Sequence, residues 1–196
     1  APLSSISFGD DGAGWMAGSG GRPVQYQSLD NGQSWYIISY AANSGFQILA
    51  LNQNTAYLAG GSLLITTNQG KQWQSVGQTV GQSESSWMTI AGLQYNNSST
   101  FWVFGYEVLT TWWYASHIYY YPRILYTIDS GSTWKRILYP EILTYSLYNL
   151  KVSKIVFQNE TTGWAVLKDY NSINTTMPYV FYTKDSGANW VYQYLP

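Results

Sequence analysis

Thr127-Ile-Asp-Ser-Gly-Ser-Thr-Trp134 decides the fold, because the chain carries the same pattern four times. The other copies are Ser28-Leu-Asp-Asn-Gly-Gln-Ser-Trp35, Thr66-Thr-Asn-Gln-Gly-Lys-Gln-Trp73 and Thr183-Lys-Asp-Ser-Gly-Ala-Asn-Trp190. All read Ser/Thr-x-Asp/Asn-x-Gly-x-x-Trp, and the chemistry of a tight hairpin explains each fixed position. The Asp or Asn side chain accepts hydrogen bonds from backbone N–H groups of its own turn. Glycine supplies a positive φ. The tryptophan opens the outgoing strand and covers the turn with apolar surface. The structural positions are therefore Asp30, Gly32 and Trp35; Asn68, Gly70 and Trp73; Asp129, Gly131 and Trp134; and Asp185, Gly187 and Trp190.

A second element precedes each turn: Gly14-Trp-Met-Ala-Gly18, Ala56-Tyr-Leu-Ala-Gly60, Phe101-Trp-Val-Phe-Gly105 and Gly163-Trp-Ala-Val-Leu167. Seven residues before its aromatic stand Phe8, Ala50, Tyr95 and Phe157, and nine before it stand Ile6, Ile48, Leu93 and Ile155. Apolar residues two apart are the signature of a buried strand. Each repeat thus reads as a four-stranded meander A to D, with the quoted turn joining C to D. The repeats span roughly 4–40, 46–78, 88–138 and 152–196 of one domain, 1–196. Sheets of four strands at this period are propeller blades, and no amphipathic helix is visible.

At this point the residues resemble a family, the Asp-box (BNR) repeat of sialidases, sortilin-type receptors and photosystem assembly factors. The resemblance runs from Ile6 to Trp190 and implies an all-β propeller of four four-stranded antiparallel blades with Asp-box C–D hairpins. In that family the box is structural, so the likeness implies architecture and no chemistry. Two departures stand out. Asn68 replaces an Asp, and four repeats are fewer than the family's usual six or seven, so the chain is either a four-bladed ring or part of a larger propeller.

The spacing between repeats points to where function lies. The A-to-B distance is 7 residues in every copy, whereas the strand-B aromatic precedes the turn Asp/Asn by 15, 11, 27 and 21 residues. From the turn Trp to the next strand-A residue the distances are 13, 20 and 21. In a meander, the A–B and C–D turns share one end of the blade, and the B–C and D–A connections share the other. All variation falls at that second end, which in repeat folds often marks the binding face. Its largest insertion, 106–122, is the candidate binding segment: Glu107, Trp112, Trp113, Tyr114, His117, Tyr119, Tyr120 and Tyr121. These aromatics read either as a platform for sugar rings or apolar side chains, or as a hairpin packed on neighbouring blades. Loops near 77–88 and 139–150 flank them.

Composition narrows the partners. Aromatic residues reach 18% and charged residues only 10%, with a net charge of −1. Nucleic acid and anionic membranes call for a basic footprint that is missing here, and no apolar run reaches the ~20 residues of a spanning helix. There is no cysteine. Asn96, Asn97, Asn159 and Asn174 open N-x-Ser/Thr sequons, the candidate glycosylation sites. With the low charge density they favour an extracellular or cell-surface setting.

Catalysis has little to draw on. A sialidase would cluster Arg22, Arg123 and Arg136 in one pocket, against their dispersed placement. Another glycosidase needs two carboxylates across a cleft, and only Glu84, Glu107, Glu141 and Asp169 belong to connections of the variable end. His117 is the only histidine and has no nucleophile elbow beside it. Asp10 and Asp11, paired oxygens in an A–B turn, read as solvated rather than as a calcium site, and no cofactor is expected. The leading expectation is a non-enzymatic binding or scaffold propeller for a protein or glycan. A self-assembling structural subunit comes second and a glycoside hydrolase third.

Overall fold

In the computed structural model every described element is a β-strand, and the strands form four four-stranded antiparallel sheets in sequential order. The described residues are 2–18, 24–40, 47–60, 62–76, 88–97, 99–111, 117–136, 150–169 and 179–193. Blade 1 comprises β1 (Leu3–Phe8), β2 (Gly14–Gly18), β3 (Val24–Ser28) and β4 (Tyr36–Tyr40). Blade 2 comprises β5 (Gln47–Ala50), β6 (Ala56–Gly60), β7 (Ser62–Thr66) and β8 (Gln74–Ser75). Blade 3 comprises β9 (Met88–Tyr95), β10 (Phe101–Thr111), β11 (His117–Thr127) and β12 (Lys135–Arg136). Blade 4 comprises β13 (Leu150–Phe157), β14 (Gly163–Asp169), β15 (Tyr179–Thr183) and β16 (Val191–Gln193). The chain divides into two compact units, 1–80 holding blades 1 and 2 and 81–196 holding blades 3 and 4.

Within each unit one blade packs face to face on the next, and the strand-B aromatic is the wedge. In the first unit Trp15, fully buried, joins Ala17 to Ile48, Ala50, Leu58 and Leu64 of blade 2. Its indole N–H also donates to Asn52 O at 3.1 Å, so the buried ring keeps its polar edge satisfied. In the second unit Trp102 packs into Ile155, Ala165, Leu167 and Phe181 of blade 4 and donates to Ser186 O at 3.2 Å.

The expectation that strand A is buried holds for Ile48, Leu93 and Ile155, which are 1–4% exposed. It fails in blade 1. Ile6 is 56% and Phe8 46% exposed.

Candidate functional site

The four Asp/Asn turns repeat one hydrogen-bond scheme, and it begins two residues before the Asp or Asn. The hydroxyl of Ser28, Thr66, Thr127 or Thr183 is buried at the end of strand C. It donates to the Asp/Asn Oδ1 at 2.7–3.1 Å and accepts the glycine N–H at 2.8–3.0 Å. Oδ1 of the Asp or Asn then accepts the backbone N–H four residues on, from Ser34, Gln72, Thr133 or Asn189, at 2.8–3.0 Å. The side chain at that same position bonds the remaining atom, Oδ2 in the Asp turns and Nδ2 of Asn68 in the second. Those four partners are all polar, a signal that the sequence of each turn carries.

A second feature was not visible in the motif. Besides the glycines, the residue between acid and glycine adopts positive φ: Asn31 (56°), Gln69 (62°), Ser130 (56°) and Ser186 (62°). In three turns its N–H is aimed at the adjoining A–B turn, reaching Asn54 O, Ser99 O and Thr161 O at 3.1, 3.0 and 2.9 Å. Both sets of turns therefore interlock at one end of the blade.

The A–B turns are capped as firmly. Asn97 Oδ1 accepts Ser99 N and Thr100 N, and Asn159 Oδ1 accepts Thr161 N and Thr162 N, all at 2.8–3.0 Å. The hydroxyls of Ser99 and Thr161 bond the same oxygens. In blade 2 the same cap forms at Asn52, whose Oδ1 accepts Asn54 N and Thr55 N outside any sequon, so the cap accounts for these Asn residues with or without a glycan. Asn96 sits half-buried in the same turn, and Asn174 lies outside the described residues. Asp11 is not simply solvated: its carboxylate accepts Ala13 N at 3.1 Å and, from blade 2, Gln53 N at 2.7 Å. Among the described residues no group of three or more metal-ligating side chains occurs.

At the opposite end the strands run toward the length-variable connections. The 106–122 insertion is mostly strand rather than loop. β10 and β11, 11 residues each, pair without interruption from Phe101↔Thr127 to Thr111↔His117. β9 pairs with β10 only as far as Glu107↔Met88, so in the described pairings the two strands continue as a ribbon past the blade. His117, Tyr119 and Tyr120 are placed on β11; Trp112, Trp113 and Tyr114 lie outside the described residues.

Glu107 corrects its sequence assignment as a loop group. It is 4% exposed at the base of the ribbon. Arg123 Nε donates to its Oε2 at 2.6 Å, with Arg123 Nη2 also in contact and Arg136 Nη2 at 3.8 Å. Two of the three arginines therefore do meet, on a carboxylate rather than on a pocket. A carboxylate buried this way needs such cations, and it is committed to them. Tyr121, half-buried, lies beneath Arg123 Cζ at 5.8 Å. Lys151 of blade 4 places Nζ 4.0 Å from the centre of the Tyr106 ring, and burial pushes its ammonium below lysine's usual pKa. The ribbon base is thus fastened within its own blade and to the next. Of the carboxylates considered for glycoside hydrolysis, Glu84 and Glu141 lie outside the described residues and Asp169 ends β14. Arg22 is likewise outside them.

No protein-family sequence profile matches the chain, and no curated protein does. Similarity appears in solved structures. A GH74 enzyme of Niastella koreensis superposes with a TM-score of 0.60 at 14% identity, over 97% of this chain and 30% of that one. The GH74 xyloglucanase of Xanthomonas campestris gives 0.56 at 12%, over 97% and 30%. Sqt1 of Saccharomyces cerevisiae gives 0.52 at 11%, over 96% and 46%. The chain spans about a third of the length of the GH74 enzymes it resembles. At these identities the likeness is one of fold, and the fold is that of a β-propeller.

Proposed function

We propose that this chain is an Asp-box propeller of the binding kind, secreted or displayed at a cell surface. It holds a protein or glycan partner at the end of the blades opposite the Asp/Asn turns. The observation that carries this reading is the β10–β11 ribbon. It extends past its blade at the one end where the repeats differ in length, and its base is fixed by Glu107, Arg123, Arg136 and Lys151. A fixed base lowers the ordering cost that a partner must offset when it meets the tip. The sequence that joins the two strands contains Trp112, Trp113 and Tyr114, and indole and phenol rings are chemically suited to sugar rings or apolar side chains.

Among the described residues Glu107 is ion-paired and the turn carboxylates Asp30, Asp129 and Asp185 are engaged in hydrogen bonds, which supports a binding rather than a catalytic role for these four. Immobilised panels of neutral oligosaccharides, xyloglucan fragments included, and of extended peptides provide the test. Binding is expected to occur without release of reducing ends, and to disappear in Trp112→Ala/Trp113→Ala while the circular dichroism spectrum is kept. Release of reducing ends would establish an enzyme instead. Unfolding of the double variant would make those residues core.

A further inference from the structure

The A–B turns of blades 2, 3 and 4 share one cap but differ two residues after the capping Asn. Blade 2 places Asn54 there, whereas blades 3 and 4 place Ser99 and Thr161. The cap does not need that hydroxyl. Asn52 Oδ1 accepts Asn54 N and Thr55 N, both at 2.9 Å, just as Asn159 Oδ1 accepts Thr161 N and Thr162 N at 3.0 and 2.8 Å. The Asn54 side chain turns instead to the neighbouring Asp/Asn turn, where its Oδ1 accepts Gln69 Nε2 at 3.2 Å. Backbone N–H groups therefore explain the Asn of each turn and leave the hydroxyl of the Asn-x-Ser/Thr pattern surplus to the cap.

That pattern is the acceptor signal for an N-linked sugar, a bulky group that needs open space at the amide nitrogen. Only one of the described candidates offers it. Asn159 is exposed, and so are Gln158, Glu160 and Thr161 around it. Its Oδ1 faces the turn, where it accepts Thr161 N, Thr162 N and the Thr161 hydroxyl. Its Nδ2 donates to no group among the described residues. Asn96 and Asn97 are half-buried in their turn. A sugar on Asn159 Nδ2 leaves every bond of the cap in place, so the folded turn accepts it without losing a hydrogen bond.

We propose that Asn159 carries an N-linked oligosaccharide, with Thr161 as the hydroxyl residue that marks it for transfer. The donor is an oligosaccharide held through its C1 on a lipid-borne phosphate or diphosphate. The bond from Nδ2 to C1 forms as the C1–O bond breaks; the phosphate group leaves with the electron pair, and the amide nitrogen gives up one proton. The sugar then stands at the A–B turn end of blade 4, whereas the β10–β11 ribbon leaves blade 3 at the other end. It adds hydration to a protein in which charged residues reach only 10%. The inference rests on the secreted or surface-displayed setting proposed above and is independent of what the ribbon binds.

Glycopeptide mass spectrometry of the full chain, exported from a host whose secretory route attaches N-linked sugars, tests it. Thr161→Asn and Thr161→Ser serve as probes. The first copies the blade 2 turn, keeping the Asn159 cap while erasing the acceptor pattern, and the second keeps both. The wild type and Thr161→Ser are expected to carry a sugar on Asn159. Thr161→Asn is expected to lose it completely while its urea midpoint stays at that of the enzymatically deglycosylated wild type. An exported wild type with a bare Asn159 overturns the inference and leaves the binding role of the ribbon standing. A sugar on Asn96 or Asn97 with Asn159 bare does the same, because it would show that exposure of the folded turn does not select the site. A chain that folds but is never exported overturns both this inference and the secreted setting.

Discussion

Phe157 lies flat on Trp102, with ring centroids 3.6 Å apart and planes 12° from parallel. Trp190 then meets Phe157 edge-on at 6.1 Å, so a single phenyl ring links the strand-B wedge of blade 3 to the turn tryptophan of blade 4. Phe157→Ala would remove the middle ring of that stack and leave a cavity beneath Trp102. A loss of about 3 kcal/mol is expected, read from the urea midpoint at unchanged slope. Phe157→Leu should cost less than half as much, because most of the volume is kept.

Ser186 makes a sharper test of the turn. Its φ of 62° is left-handed, its N–H donates to Thr161 O and its carbonyl accepts the Trp102 indole. The backbone does all of that work, so Ser186→Gly should leave stability about unchanged. A β-branched residue suffers at this φ, and Ser186→Val is expected to cost about 1–2 kcal/mol. Equal melting temperatures for the two variants would show that the left-handed conformation is unimportant.

What the sequence disclosed follows a physical division. Hairpin chemistry is local, so Asp30, Asn68, Asp129 and Asp185 announce four turns and Trp15, Tyr57, Trp102 and Trp164 announce the strands before them. Burial is not local. Ile6 and Ile155 occupy the same place in their repeats, yet one is 56% and the other 1% exposed. A pattern of residues two apart cannot report that difference. Glu107 was misplaced for the same reason: spacing put it in a connection, whereas strand pairing carried β10 four residues past it and brought Arg123 and Arg136 to its carboxylate. The left-handed residues Asn31, Gln69, Ser130 and Ser186 are of three different types, so no single residue marks the position in all four turns.

The Glu107–Arg123 pair should show measurable coupling. Arg123 keeps an 18% exposed side chain and Glu107 a 5% exposed one, so solvent screens only one partner. A double-mutant cycle of Glu107→Gln and Arg123→Met is expected to give about 1–3 kcal/mol of interaction energy, above the range of exposed pairs. Coupling below about half a kcal/mol would mean that the base of the ribbon is held by packing alone.

Acid should act through three of the four turns. Hydrogen bonds from the Ser34 side chain and backbone, then from Ser28, lower the Asp30 carboxyl to a pKa of about 2. Those from Thr133, then Thr127, do the same for Asp129, also to about 2. At Asp185 burial pushes upward, and bonds from Asn189 and Thr183 outweigh it, so the net shift is again downward. A carboxyl whose pKa is depressed on folding contributes stability above its unfolded value near 4, and that contribution disappears as pH falls through the folded value. The wild type should therefore lose stability as pH falls from about 4 to about 2. Asn68 shows that an amide can hold the same turn, with Gln72 Oε1 accepting from its Nδ2. Asp129→Asn should accordingly fold, and its urea midpoint should fall less steeply with pH in that window. The two proteins should converge at the acid end, where the native carboxylate too is protonated. Parallel pH profiles for wild type and variant would show that the Asp129 hydrogen bonds do not favour the ionised form.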